Sequence, residues 1–335
     1  MLKFIFRRLL TLIPVIVGLT VIMFAIARLL PGDPVGLAAG PNATTAERAA
    51  LAKEFGLDKP IWVQYIHYVS GLAHGDLGRS LLTRRPVALD IAAYLPATLE
   101  LVIAAMLIAV VIGIPLGLLT AIWRNRWPDY LSQVLAIGAI SMPRFFLGLL
   151  MQLVFAMWLS WLPLGGQLPI VVFPPPHVTG FITVDALIAG DTGTFVTALR
   201  HLAMPAIALS LSPLATIMRM MRASSIEVMG QDYVMTALAL GLPRRKIMLK
   251  VIGRNAVSAT LTVIGLYFGW LLGGTVLVET VFDWPGLGLY ATKAIMAQDM
   301  MPVIGVALVI GLIFVVANLI IDISYGLVNP KVRYT

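Results

Sequence analysis

Residues 219–254 read RMMRASSIEVMGQDYVMTALALGLPRRKIMLKVIGR, and this stretch decides how the rest of the chain is organised. We call it the central loop, and it lies between two long apolar runs. Its seven basic and two acidic residues are typical of a loop on the cytoplasmic side of a membrane. Between Asp232 and Arg244 it has no charge and is mostly apolar. Such a block facing water would be an exposed patch, so we expect it to lie on lipid or to dock into a partner.

The centre of this loop is predicted to form two short helices joined by a sharp bend. Ala237 and Gly241 are four residues apart and share one helix face, where small residues let another chain approach closely. Gly241 is expected to end the first helix as a C-cap glycine, and Pro243 prevents its continuation. A second helix can then begin at Arg244. This design favours docking; the alternative is that the charge only marks the cytoplasmic side and the apolar residues lie in the membrane interface.

The composition indicates an all-α integral membrane protein. Of 335 residues, 59% are hydrophobic and 12% are charged, whereas a soluble domain has about 25% charged residues. The net charge is +8, but no basic stripe is interleaved with stacking aromatic residues, so we expect no nucleic-acid partner. There are no cysteines, which excludes disulfides and thiolate chemistry.

Six apolar runs are long enough to cross the lipid bilayer as helices. They cover residues 9–27, 101–123, 130–162, 201–218, 256–278 and 301–321. With both termini in the cytoplasm, fourteen of the 24 basic residues lie on that side, and the short outer loops are almost free of them. The first run ends in a triplet that resembles a signal-peptide cleavage site at Ala27, but its length favours an uncleaved span.

A polar segment after the first span is predicted to be a small extracytoplasmic lobe. The chain is thus divided into residues 1–30 with the N-terminal tail and first span, 31–96 with the lobe, and 97–335 with the five-span core. Within the lobe, Thr44 and Glu47 fit a capping box ahead of an alanine-rich helix. His67 and His74 are seven residues apart and could form a metal pair, but we interpret them as solvated or packed histidines and predict no metal site.

The third apolar run is too long for one straight span. It would extend about 50 Å as a single helix, compared with a hydrocarbon core of about 30 Å. Pro143 is the expected position of a break. Arg144 follows, beyond the middle of the bilayer, where an arginine costs roughly 2.5–3.5 kcal/mol on insertion scales, so it should face water or pair with an acid.

Two interpretations of Arg144 remain open at this point. In the first, Arg144 lines a translocation pathway with Ser141 and Pro143, in a gap that these residues open, and can meet a carboxylate. In the second, the helix begins later in the chain and Arg144 snorkels to a headgroup.

Motifs of reaction chemistry are missing from the sequence. It contains no phosphate-binding loop of the G-x-x-x-x-G-K-[ST] form, no G-x-S-x-G motif and no H-E-x-x-H motif, and its four histidines are scattered. We therefore predict no catalytic residues and no enzyme. A conduit with a docking loop suggests that energy comes from another polypeptide.

The central loop resembles the coupling loop, or EAA motif, of permease subunits in ATP-binding-cassette importers of the dipeptide, oligopeptide and nickel group. The matching positions are Gly230, Asp232, Tyr233, Thr236, Ala237, Gly241 and Leu242. Segments that resemble other signatures of this group, in the same order, are 30–34, 56–60, 64–65, 75–78, 95–99, 141–143, 279–288 and 329–333. The segment before the fourth span, including residues 179–181, is most similar to the B subunit of dipeptide permeases.

This resemblance implies a type I importer permease fold with six transmembrane helices. It implies uptake of dipeptides or short oligopeptides across a bacterial cytoplasmic membrane by alternating access. The implied partners are a second similar permease, two ATP-binding subunits and an extracytoplasmic substrate-binding protein. ATP would be held by those partners, so this chain needs no cofactor. The residues from Asp232 to Pro243 would lie in a groove of an ATPase subunit.

Three positions depart from the group, two in the central loop and one after the break in the third run. Met235 and Leu240 stand where basic residues are usual, so docking would depend more on packing than on charge, and Arg144 is not a general feature. The same machine could instead carry nickel chelates, glutathione, haem or opine-like compounds. An alternative of a different class is a self-sufficient ion-coupled carrier, which would require paired acids at mid-membrane; the sequence offers none.

Overall fold

The computed structural model describes residues 2–29, 44–54 and 59–328, and these are mostly helical, with longer non-helical segments at 74–86 and 159–181. The helices are α1 (Leu2–Leu29), α2 (Thr45–Glu54), α3 (Ile61–Ala73), α4 (Val87–Ile122), α5 (Trp127–Ser141), α6 (Arg144–Met151), α7 (Ile182–Ile188), α8 (Thr192–Met229), α9 (Asp232–Ala239), α10 (Arg244–Lys246), α11 (Arg254–Gly274), α12 (Val276–Val281), α13 (Leu287–Met296) and α14 (Met300–Val328). Two π-helical segments, Gln152–Trp158 and Ile247–Gly253, follow α6 and α10. The predicted all-helical class is confirmed. The segments quoted above at 30–34, 56–58 and 329–333 lie outside the described residues.

Four helices in the described ranges are long and apolar enough to cross a membrane. They are Val87–Ile122, Thr192–Met229, Arg244–Gly274 and Met300–Ile320. The second, fourth and sixth predicted spans lie on these helices, and so does the fifth up to Gly274, where its helix ends before the predicted boundary at 278. The first predicted span lies on α1, whose stretch Leu10–Ile26 is also apolar. The chain is therefore a multi-pass membrane protein.

The third predicted span is broken at the expected proline. The helices Trp127–Ser141 and Arg144–Trp158 are bent by 102° relative to each other. Pro143 precedes the second of them with φ −60° and ψ 132°, an extended conformation outside the helical region. The prediction of a break at Pro143 is confirmed.

Several helices extend further than the apolar runs suggested. α4 begins at Val87, so the boundary drawn at residue 96 falls inside it, and α8 continues to Met229. The central loop drawn from residue 219 thus begins inside α8, and the first residue after this helix is Gly230. The fall in hydropathy marks where a helix leaves lipid, whereas the helix itself ends only where glycine or proline interrupts it. At 38 residues, or about 57 Å, α8 is longer than a bilayer's hydrocarbon core is thick.

The contact between α4 and α8 forms the centre of the molecule. A Cβ added to Gly117 would lie 2.5 Å from the Met218 carbonyl oxygen, and one added to Gly113 would lie 3.1 Å from that of Leu214. Two glycines one turn apart let the helix backbones approach this closely. The buried apolar side chains around this contact include Leu101, Val102, Ala105, Ala109, Met204, Leu209, Ile217, Leu271 and Leu272.

The predicted lobe contains two of the shorter helices. The capping box ahead of α2 is confirmed, because the backbone N–H of Thr44 donates to Glu47 Oε2 (2.8 Å) and the backbone N–H of Glu47 donates to Thr44 Oγ1 (3.3 Å). His67 and His74 are exposed on and after α3, and a His74 ring nitrogen lies 2.8 Å from the Ser70 carbonyl oxygen.

Candidate functional site

Residues 230–246 form a compact helical bend, which we call the elbow. It consists of α9, a glycine-containing turn and α10, and it connects the end of α8 to the π-helical start of the next span. Asp232 occupies the first turn of α9, where a carboxylate interacts favourably with the positive end of the helix dipole. The predicted pair of short helices is therefore present.

The turn of the elbow is a Schellman motif. Gly241 has φ +70°, its N–H donates to the Leu238 carbonyl oxygen (3.0 Å), and the Leu242 N–H donates to that of Ala237 (3.3 Å). Leu242 is half-buried against the cluster that contains Ala237. Pro243 then precedes α10, which begins at Arg244. The predicted C-cap glycine and the predicted start of the second helix are both confirmed.

The inner face of the elbow packs on its own chain. Val234 and Ala237 are only 3% and 7% exposed. They belong to one apolar cluster with Leu118, Met221, Ile247, Ile252 and Ala256. The proposed use of Ala237 to admit a partner is therefore corrected, since its small side chain admits this chain's own helices. By contrast, a Cβ on Gly241 would have no atom within 4 Å.

The outer face of the elbow is apolar and uncovered. It consists of Tyr233, Met235, Leu238 and Leu240, which are between 45% and 75% exposed. Thr236 is also exposed, and its hydroxyl donates to the Asp232 carbonyl oxygen (3.0 Å). The exposed basic residues of α10, Arg244, Arg245 and Lys246, flank this face. The predicted apolar tip with basic flanks is present, and such a surface suits a groove with apolar walls and acidic edges.

Three long helices contribute side chains to the cluster beneath the elbow. Its inner face contacts Leu118 of α4, Met221 of α8 and Ala256 of α11 within a single cluster. Close-packed side chains transmit displacement because they leave no space to absorb it. The inner face of the elbow therefore shares one packed cluster with α4, α8 and α11.

A second candidate site is the cavity beside the break in the third span. Its volume is about 450 Å³, and its lining residues are Ile140, Met142, Pro143, Arg144, Phe145, Ser212, Trp270, Gly274 and Leu277. Arg144 reaches over Gly274, because a Cβ at that glycine would overlap the guanidinium group. Ser141 is exposed at the end of α5 and is not part of the lining.

Arg144 has no acidic partner in the part of the chain that the structure describes. The ion pairs within 4.0 Å there join Arg85 to Asp90 and Arg222 to Asp129. Arg144 is also the charged member of a lining that is otherwise apolar except for Ser212. The cavity thus presents one cation, without a counter-ion from the described chain, in mostly apolar surroundings.

The comparison with protein families decides what kind of molecule this is. The family described as "Binding-protein-dependent transport system inner membrane component" matches residues 113–334. Its companion for the N-terminal part, "Binding-prot-dependent transport system membrane comp, N-term", matches residues 1–102. The chain belongs to this family. It is a multi-pass inner-membrane component of a binding-protein-dependent transport system.

Individual relatives of this permease cover its whole length. It is 44% identical over 321 residues to the probable D,D-dipeptide transport system permease protein DdpB of Escherichia coli strain K12. That alignment covers 96% of this chain and 94% of the relative. It is 42% identical over 337 residues to the dipeptide transport system permease protein DppB of the same strain, covering 100% and 99%. It is 38% identical over 334 residues to the glutathione transport system permease protein GsiC of strain O6:H1, covering 100% of both chains. The resemblance inferred from the motifs is confirmed.

One buried carboxylate, that of Glu279, joins the segments 95–99 and 279–288 of the permease. Glu279 Oε1 accepts a hydrogen bond from Thr98 Oγ1 (2.8 Å), and Oε2 accepts from the backbone N–H groups of Gly288 (2.6 Å) and Leu289 (3.0 Å). Glu279 therefore caps the N-terminus of α13 and ties it to α4. Burial raises the pKa of the Glu279 carboxyl, and these hydrogen bonds oppose that rise.

The role of Glu279 is not predictable from its neighbours in the sequence. The segments that contain Thr98 and Glu279 were both recognised, but 181 residues separate the two side chains. The available signal was an acid, Glu279, five residues before the Trp-Pro-Gly turn, with a second glycine at 288. A Cβ on Gly286 would lie 2.5 Å from the Glu279 carboxylate, and this close approach explains that glycine.

Proposed function

We propose that this chain is one of two permease subunits in an ATP-driven importer for dipeptides and short oligopeptides. It would cross the bacterial cytoplasmic membrane six times with both termini in the cytoplasm, the orientation that its basic loops favour. Transport would proceed by alternating access. Two relatives, named as a probable D,D-dipeptide permease and a dipeptide permease and covering 96% and 100% of its length, support this cargo.

The observation that carries the proposal is the uncovered apolar outer face of the elbow. Leu240 is 75% exposed and Met235 is 62% exposed, yet both stand on a helix whose opposite side is packed and capped. Apolar side chains held on a rigid support suit a pre-formed contact with a protein groove. We propose that this groove belongs to one of two partner ATPase subunits. Gly230, Gly241 and Pro243 would shape the elbow, while Asp232, Tyr233 and Thr236 would lie at the contact.

The coupling mechanism follows from what the elbow contacts. Closure of the ATPase subunits on ATP would displace the outer face, and the inner-face cluster would carry that displacement into α4, α8 and α11. ATP would be bound by the partners, and this chain would need no cofactor. A second, similar permease would supply the other half of the pathway, and an extracytoplasmic binding protein would deliver the peptide.

The test compares two exposed leucines. Leu238 on the outer face is 48% exposed, and Leu187 on α7 is 55% exposed away from the elbow. Each is replaced by glutamate in the complete transporter, which is reconstituted in vesicles with its binding protein. We expect Leu238→Glu to lower the yield of co-purified ATPase and the ATP-driven uptake of alanyl-alanine by about tenfold or more, and Leu187→Glu to leave both unchanged.

Three results would contradict the proposal. Normal ATPase association in Leu238→Glu would remove the docking role of the elbow. Dipeptide uptake by vesicles that contain this chain alone, without ATP, would favour a self-sufficient carrier. The glutathione permease among the relatives makes glutathione the second candidate cargo, so uptake of glutathione in preference to alanyl-alanine would reassign the substrate.

A further inference from the structure

The guanidinium group of Arg144 lies within a membrane span, where a charged group requires water or an anion as a partner. It stands at the start of α6, inside the broken span, and is partly buried. No carboxylate of the described residues lies within ion-pair distance of it. An unpaired arginine in hydrocarbon is unfavourable, so such a group faces water or binds an anion.

The cavity around Arg144 has space for a ligand. The glycine at position 274 leaves room for the guanidinium, since a methyl group there would overlap it. An arginine that snorkels to the membrane surface has no need of a glycine opposite it on another helix. The volume of about 450 Å³ falls within the range of roughly 300–1,000 Å³ typical of small-molecule sites.

The cavity lining contains one charged side chain, and the other lining residues are mostly apolar. Arg144 and Ser212 are the polar side chains, and the other lining side chains include Met142, Phe145 and Trp270. Trp270 is 70% exposed, so its ring is available at the cavity. Such a site would hold an anionic group firmly in orientation and accept varied apolar groups beside it.

We propose that the Arg144 cavity binds the C-terminal carboxylate of the peptide during its passage through the membrane. This inference rests on the proposed function. Every unblocked peptide has that carboxylate, whereas its side chains differ, so one arginine within apolar walls recognises the common group and tolerates the rest. The guanidinium group matches a carboxylate with two parallel N–H donors.

The experiment measures binding without the extracytoplasmic binding protein, which has its own preference for peptide ends. The complete membrane complex is placed in nanodiscs without ATP, and equilibrium binding of labelled alanyl-alanine and of alanyl-alanine amide is measured up to millimolar concentration. We expect Arg144→Gln to weaken alanyl-alanine binding by about tenfold and to leave the amide unaffected. Arg144→Lys should lose less, because it keeps the charge but not the two parallel donors.

Two further variants separate the site from general effects. Gly274→Ala should weaken alanyl-alanine binding as well, since it displaces the guanidinium group without removing it. Arg200→Gln removes an exposed arginine of α8 that is not part of the cavity lining and should change neither affinity.

The remaining outcomes overturn the inference. Equal weakening of both ligands, or loss of the second permease from the complex, would mean that Arg144 pairs with a carboxylate of that subunit. Undetectable alanyl-alanine binding to the wild-type complex would mean that there is no site. ATP-driven uptake of alanyl-alanine, measured in parallel, shows whether the proposed function survives: if uptake is normal while either result is found, only this inference fails.

Discussion

Arg222 and Asp129 form a bidentate ion pair in which Nε donates to Oδ1 (2.6 Å) and Nη2 donates to Oδ2 (2.7 Å). Asp129 is buried at the start of α5, and Arg222 lies on α8 beside Met221, which packs on the inner face of the elbow. The pair therefore connects α8, which leads into the elbow, to the broken span that carries Arg144.

Removal of this ion pair should loosen that connection. Asp129→Asn leaves the Arg222 guanidinium without its charged partner, and we expect it to lower stability by about 1–3 kcal/mol, less than a fully buried pair would lose because Arg222 is 20% exposed. Thermal unfolding of the purified complex measures the loss, and the ratio of peptide uptake to ATP hydrolysis should also fall. The double variant Asp129→Asn with Arg222→Met should recover part of the stability, so strictly additive losses would contradict the coupling.

Gly241 offers a test of the elbow's backbone geometry. Its φ of +70° disfavours any β-branched residue, and Gly241→Val should be destabilising by about 1–2 kcal/mol and displace the outer face from its position. We expect peptide uptake and ATPase association to be lost while membrane insertion remains normal. Gly241→Asn, which adopts this conformation more readily, should retain more uptake.

Gly190 is the matched control for this substitution. It also has φ +70° and open space at the position of a Cβ, but it lies after α7, away from the elbow. Gly190→Val should therefore introduce the same strain without affecting ATPase association. If the two valine variants lose ATPase to the same extent, the effect is general instability and the elbow has no special role.

A substitution at Ala237 tests whether this residue packs within its own chain or contacts a partner. Ala237→Leu adds volume to the closed inner-face cluster and should lower stability by about 1–3 kcal/mol. Thr236→Leu makes a comparable addition at an exposed neighbour and should leave the melting temperature nearly unchanged. Unchanged stability in Ala237→Leu, combined with loss of the ATPase, would instead place Ala237 at the partner contact.

Gly286 tests the capping of α13 by Glu279. Its φ of −107° is open to any residue, so Gly286→Ala acts through the overlap of its methyl group with the Glu279 carboxylate and the Thr98 hydroxyl. We expect a loss of about 1–3 kcal/mol in thermal unfolding. Gly273→Ala on α11 meets no atom within 4 Å and should be neutral or slightly stabilising. Similar melting temperatures for the two variants would refute the steric role of Gly286.

Local features of this protein follow from the sequence alone. The helical class, the break at Pro143, the capping box at Thr44 and the αL cap at Gly241 depend on backbone angles and on hydrogen bonds within a few residues. Such interactions are the same wherever the segment lies. For this reason the bend, charge and apolar tip of the elbow could be predicted before its surroundings were known.

Relations between distant segments were decided only by the tertiary structure. Ala237 faces inward because α8 and the following span pack against that side of the elbow, and a sequence cannot say which face a neighbour will cover. Arg222 reaches Asp129 across 93 residues, and Arg144 is placed over Gly274 by the packing of two helices. The physical reason is that a helix's own hydrogen bonds determine its form but not its neighbours; those are chosen by side-chain packing across the whole molecule.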